Sequence, residues 1–269
     1  MSMKTPRKHY KVPNGEARLA VSETGQGQTL VFFNGGGATQ GSWKRMIGEL
    51  EGQYRLVTFD FRNHGKSGAS HNTSLEGFLT DAEAVMDKVA GDRPILVGWS
   101  LGADLAVWYA ASHPGKVAGL FLIDGAMPVN LVSDPENLRR RLNTPTMRIG
   151  PLLLYLVGKG YHLTPDEYAT LTIALNRRRE QLLSAYDQLD CPVELALATK
   201  SAGEKGGRAE RNNALWRAAG EQLTQTFPRL SLTWVDNTHL LPFKEPTTLA
   251  RLLDAFAQRC QPGDQGGVQ

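Results

Sequence analysis

Cysteine is nearly absent from the chain: Cys191 and Cys260 are the two in 269 residues. Two thiols make neither a disulfide framework nor a metal site, so a reducing, cytoplasmic setting and no metal are expected. Long apolar runs are missing as well. The nearest approach, Ile149 to Val157, is too short to cross a bilayer and contains Gly150 and Pro151. Met1 to Lys11 is polar and basic without an apolar stretch, which speaks against a signal peptide. No strong charge excess exists either, because 30 basic against 27 acidic residues leave a net charge of +3. The basic residues are scattered, with no zinc-finger spacing, no long basic block and no strand of interleaved aromatic and basic residues. Neither nucleic acid nor a membrane is therefore an expected partner. Arg139-Arg140-Arg141 and Arg177-Arg178-Arg179 read as solvated helix faces rather than as anion sites.

What the chain does have is a regular alternation of strand-like and helix-like segments. Strand-type runs are Ala17 to Ser22, Thr29 to Phe33, Tyr54 to Phe59, Pro94 to Val97, Val117 to Ile123, Val193 to Thr199 and Leu230 to Val235. Helical spacing marks Leu75 to Ala90, Leu101 to Ala111, Glu210 to Thr226 and Pro246 to Arg259. Such alternation implies an α/β fold with a mostly parallel, doubly wound sheet, covered on both faces. The length suits one catalytic domain with an insertion. Residues 1–127 and 191–260 are expected to form the core, 128–190 a helical lid, and 261–269 a disordered tail rich in Gly and Gln.

One pentapeptide carries most of the chemistry. Gly98-Trp99-Ser100-Leu101-Gly102 is a G-x-S-x-G sequence between a strand and a helix, the setting of a nucleophile elbow. Gly98 and Gly102 would let strand and helix approach, and the Leu101 amide at the helix N-terminus would face whatever Ser100 attacks. Upstream, Thr29 to Phe33 runs into Asn34-Gly35-Gly36-Gly37, where Gly36 is the candidate second donor to an oxyanion.

With Asp60-Phe61-Arg62-Asn63-His64-Gly65-Lys66-Ser67 and the late Asn237-Thr238-His239, these motifs make the chain resemble the α/β-hydrolase superfamily, from about Val21 to Phe256. Two departures stand out: Asn34 replaces the usual His before the glycines, and Asn63 replaces a common glycine that a residue tolerant of left-handed φ can replace. The resemblance implies the order serine, acid, histidine, so His239 is the base among six histidines, and His64 is structural. It also implies that Asp60 and Arg62 brace each other.

The acid is less plainly marked. Ser201 occupies the place just after the penultimate strand where relatives usually carry it, and a serine cannot balance an imidazolium. Some relatives place the acid at the end of the strand following the elbow helix, which here is Asp124. Glu204 is the alternative acid, and a chain without a functional acid is the third option.

These residues together predict a serine hydrolase. Ser100 attacks a small to medium, moderately apolar carboxylic ester or lactone, the Leu101 and Gly36 amides stabilise the oxyanion, and water resolves the acyl-enzyme. No cofactor is needed, and the expected partner is a small-molecule substrate, with the chain a monomer or homodimer. Met147, Ile149, Leu152, Leu153, Leu154, Tyr155, Val157 and Tyr161 are expected to roof the pocket, with Gly150-Pro151 and Gly158-Lys159-Gly160 as hinges. The alternatives are a cofactor-free lyase or carbon-carbon bond hydrolase on the same residues, or a non-catalytic ligand-binding protein.

Overall fold

The computed structural model describes residues 6–89, 91 and 93–261. Residues 1–5, Ala90 at the expected end of the Leu75 to Ala90 helix, Asp92, and 262–269 of the expected tail lie outside them. Eight strands form one sheet: β1 (Lys8–Asn14), β2 (Ala17–Thr24), β3 (Thr29–Phe33), β4 (Arg55–Phe59), β5 (Ile95–Trp99), β6 (Gly119–Ile123), β7 (Val193–Lys200) and β8 (Leu230–Thr238). Their spatial order is β1-β2-β4-β3-β5-β6-β7-β8. The six strands from β3 onward pair in parallel, while β1 and β2 join the edge antiparallel.

Alternation along each central strand divides the core into two layers, since successive side chains leave opposite faces. Val31, Phe33, Leu96, Leu120 and Leu122 point to one face, where α2 (Leu75–Val89), α3 (Leu101–Ser112) and α8 (Gly207–Thr226) pack. Leu30, Phe32, Ile95, Val97 and Phe121 point to the other, under α1 (Lys44–Leu50) and α10 (Pro246–Arg259). Being covered on both sides, these strands read as continuous apolar runs. The edge strand β1 was not expected from the sequence. Its Lys8, Lys11 and Pro13 are features of a protected edge, and they hide a strand from a search for apolar runs.

Between β6 and β7 the chain adds α4 (Pro135–Leu142), α5 (Pro145–Leu156), α6 (Pro165–Arg178) and α7 (Leu182–Asp187). Here the structure corrects the expected roof. Helix α5 has no buried residue, and Ile149, Leu153, Leu156 and Val157 are 57%, 59%, 73% and 65% exposed. Helices α4 and α6 face the sheet's C-terminal edge in its place. Nor is Gly158-Lys159-Gly160 a free hinge, because the Gly160 carbonyl accepts the Gly65 amide at 2.8 Å and the Asn63 carbonyl accepts the His162 amide at 2.7 Å. Gly150 and Pro151 lie inside α5. Among the described residues no helix is long and apolar enough to cross a membrane.

The arginine clusters also depart from expectation. Arg179 is buried, and its Nε and Nη2 donate to the two carboxylate oxygens of Asp104 at 2.8 and 2.7 Å. Burial alone would lower its pKa, but the charge and hydrogen bonds of Asp104 outweigh that and raise it. Asp104, fully buried on α3, also accepts the Ala126 amide at 3.3 Å and so holds the turn after β6. Replacing Arg179 with methionine would leave a buried carboxylate without its counter-charge, and should cost about 3–5 kcal/mol of stability. Urea unfolding checks this: a loss under about 1 kcal/mol would mean that the pair contributes little, as exposed pairs do.

Candidate active site

Strand β5 is wholly buried, and the chain leaves it through a turn that few sequences can make. Ser100 has φ 53° and ψ −120°, a left-handed conformation costly for any residue with a Cβ. The turn closes because its neighbours are glycines. A Cβ on Gly102 would strike the Phe33 carbonyl, and one on Gly98 would strike Ala103. Ser100 N–H donates to the Ile123 carbonyl at 3.0 Å, which ties the elbow to β6.

Ser100, Asp124 and His239 each sit one residue past the end of a strand, and the parallel sheet gathers those ends. His239 Nε2 lies 3.0 Å from Ser100 Oγ, and His239 Nδ1 lies 2.7 Å from Asp124 Oδ2. The His239 backbone is fixed by Trp99, whose indole Nε1 donates to its carbonyl at 3.0 Å. Asp124 is fully buried, with φ 42°. Its Oδ1 accepts from the Ala198 amide and from Trp216 Nε1, both at 3.0 Å, and its Oδ2 also accepts from Ser201 Oγ at 2.7 Å. A carboxylate with this many donors is held in one orientation. Ser201, just after β7 where the resemblance implied an acid, donates to Asp124 instead. Glu204 is exposed, and among the described residues no hydrogen bond or ion pair joins it to His239.

Gly36 and Leu101, the residues of the two predicted donor amides, line the same cavity as Ser100. Neither the Leu101 nor the Gly36 amide has a hydrogen-bond partner among the described residues. The Gly36 carbonyl on the far side of its residue accepts from Tyr168 Oη at 3.3 Å. Asn34 is a brace: buried completely, it donates to the Phe59 carbonyl and accepts from Trp43 Nε1, both at 2.6 Å. Both polar ends of the Asn34 side chain are thus taken up by Phe59 of β4 and by Trp43.

His64 and Asp60 are structural, as expected, but the expected Asp60–Arg62 brace is replaced. Arg62 pairs with Asp81, at 2.7 and 2.9 Å, while Asp60 accepts from the Lys66 amide and from the backbone and side chain of Gln40. His64 Nδ1 donates to the Arg62 carbonyl at 2.7 Å and Nε2 accepts the Gly37 amide at 3.1 Å, so the neutral ring supports the glycine loop. Burial lowers the His64 pKa to about 4 from an ordinary 6.5. The unfolded chain therefore binds a proton there more readily than the folded one. That contribution to stability is complete above pH 6.5 and is lost as pH falls toward 4, by on the order of 3 kcal/mol in all. His64→Asn, which takes up no proton, should flatten the pH dependence of unfolding free energy between pH 6.5 and 4. An unchanged slope would contradict this.

A cavity of about 550 Å³ opens above Ser100 and His239. Its walls include Leu101 on α3, Leu138 on α4, Tyr168, Leu171 and Leu175 on α6, and Trp216 on α8. Burial raises the Tyr168 pKa, so its hydroxyl stays protonated and able to donate. Trp216, Tyr168 and the Asp104–Arg179 pair went unrecognised in the sequence. A lone aromatic or charged residue on a helix carries no pattern, whereas Ser201, at the usual acid position, was the one hint of where the carboxylate had to reach.

A model of the alpha/beta hydrolase fold matches residues 28–260. The chain is 34% identical over 100 residues to 3-oxoadipate enol-lactonase 1 of Acinetobacter baylyi, a match covering 37% of this chain and 38% of that one. It is 26% identical over 170 residues to a pimeloyl-[acyl-carrier protein] methyl ester esterase of Nitrosomonas europaea, covering 62% and 63%. These matches thus span between about two fifths and just under two thirds of the relatives' own length. Among solved structures, an esterase from Exiguobacterium antarcticum has a TM-score of 0.74 at 18% identity, covering 93% of this chain and 100% of its own. At that identity the likeness extends to the fold alone.

Proposed function

Because the chain belongs to the alpha/beta hydrolase fold family, we propose that it hydrolyses a small to medium, moderately apolar carboxylic ester or lactone through an acyl-enzyme on Ser100. The observation that carries this reading is the unbroken chain from Ser100 Oγ to His239 to Asp124, 3.0 and 2.7 Å, opening on a cavity. As Ser100 Oγ attacks the carbonyl carbon, its proton passes to His239 Nε2. Asp124 holds the Nδ1–H tautomer and balances the imidazolium. The oxyanion is received by the Leu101 and Gly36 amides, each worth roughly 3–4 kcal/mol in the transition state. His239 then protonates the leaving oxygen, and a water deprotonated by His239 releases the acid.

The names of the two sequence relatives, an enol-lactonase and a methyl ester esterase, agree with this class of reaction. Free thiols at Cys191 and Cys260 support the accompanying cytoplasmic assignment. The test is a panel of p-nitrophenyl esters and lactones followed in the pre-steady state. A burst of alcohol equal to the enzyme concentration, with an acyl adduct on Ser100 in mass spectrometry, is expected. Turnover of carbon-carbon substrates with no ester cleavage would reject the reading.

A further inference from the structure

The cavity above Ser100 has two chemically different ends. Its depth is lined by aliphatic and aromatic side chains, but Arg141 on α4 and Arg208 and Arg211 on the first turn and a half of α8 line it too. Arg208 and Arg211 lie 67 and 70 positions from Arg141 in the chain, and the fold brings all three to one cavity. Among the described residues none of the three has an ion-pair or hydrogen-bond partner. Three other arginines of the insertion pair with acids, Arg139 with Asp166, Arg178 with Glu76 and Arg179 with Asp104, whereas Arg140, Arg148 and Arg177 have no ion-pair partner among the described residues. The acid on the cavity wall, Asp134, is engaged as the N-cap of α4, accepting from the Asn137 amide at 2.9 Å. Glu204 and Glu210, close by in sequence, do not line the cavity.

Like charges gathered around an apolar pocket repel one another unless an anion lies between them. Partial burial and then the nearby Arg208 lower the pKa of Arg141, in keeping with that repulsion. The start of α8 adds the positive end of its dipole at the same opening. Guanidinium groups suit carboxylate and phosphate oxygens, which they bind in pairs.

We propose that Arg141, Arg208 and Arg211 form a specificity site for an anionic group, carboxylate or phosphate, on the end of the substrate remote from the bond that Ser100 attacks. This rests on the reading of Ser100 as an esterase nucleophile, and it gives Arg141, exposed as expected of a solvated helix face, a second role as an anion contact. Substrate recognition then combines an apolar middle, held by Leu171, Leu175 and Trp216, with a charged terminus at the rim.

The test compares methyl octanoate, monomethyl suberate and the phosphate-terminated octanoate methyl ester on wild type and on Arg141→Gln/Arg208→Gln. Wild type should prefer a charged terminus by about 10-fold or more in kcat/KM, as a charge-assisted bond provides. In the double variant that ratio should fall to within about 2-fold of unity. The carboxylate and phosphate arms show which anion the site takes. A parallel arm measures calorimetric binding of the same three esters, methyl octanoate, monomethyl suberate and the phosphate-terminated ester, to the Ser100→Ala protein, with the same expected preference. No preference in wild type, or a preference kept in the double variant, overturns the proposal. If none of the three esters is cleaved, the esterase reading is decided by the p-nitrophenyl ester and lactone panel, and the binding arm still decides whether the rim recognises anions.

Discussion

Asparagine in place of Asp124 should lower kcat on the order of 10⁴-fold, with little change in the fold. The size of the loss follows from the hydrogen-bond arrangement. The Oδ1 of Asp124 is fixed by Ala198 N–H and Trp216 Nε1–H, so an asparagine would keep its oxygen there and turn its amide toward His239 Nδ1. Two donors cannot face each other, so His239 would take the other tautomer, with its proton on Nε2 pointing at Ser100. A protonated Nε2 cannot accept the Ser100 proton, and the counter-charge to the imidazolium is gone as well. Glu204→Gln should change kcat less than about 2-fold, since Glu204 is exposed and no hydrogen bond or ion pair among the described residues joins it to His239. Both are measured as kcat on the best ester, with circular dichroism to check the fold. Equal activity of Asp124→Asn and wild type would contradict the assignment of the acid.

Ser100→Ala should remove on the order of 10⁶ in kcat, the largest effect of any single substitution here. Alanine meets the same left-handed backbone as serine, so the elbow should persist and the loss reports the missing Oγ. Because Ser100 and His239 act as one unit, His239→Ala in the Ser100→Ala background should cost almost nothing more. What remains would come from the Leu101 and Gly36 amides and from the cavity. Retention of a tenth of wild-type kcat by Ser100→Ala would mean that the serine positions substrate without forming a covalent bond, as in the lyase alternative.

Much of this site could be read in the sequence because its parts lie at strand ends. An apolar run followed by a small or polar turn is a strong signal, and with the family resemblance it singles out Ser100, His239 and the Asn34–Gly37 loop, while leaving Asp124 beside Glu204 as candidate acids. Gly102 was legible for a related reason: the Phe33 carbonyl excludes any Cβ there. The role of Asn34 was less so, since whether an asparagine braces a loop or faces a substrate depends on Phe59 and Trp43, contributed by other segments. Arg179 and Asp104 were illegible, because a buried pair 75 residues apart reads as two unrelated helix positions. The roof was misjudged for a similar cause. Apolar density marks α5 as needing a partner, yet it does not say which face of the molecule the helix will cover, and α4 and α6 took the place above Ser100.

Fluorophosphonate labelling of the wild type, Ser100→Ala and His239→Ala, read by mass spectrometry of the digested protein, tests the central claim most directly. An activated serine predicts one adduct, on Ser100, absent from Ser100→Ala and nearly absent from His239→Ala. Folded wild type that stays unlabelled, or that carries the adduct on another residue, would contradict it.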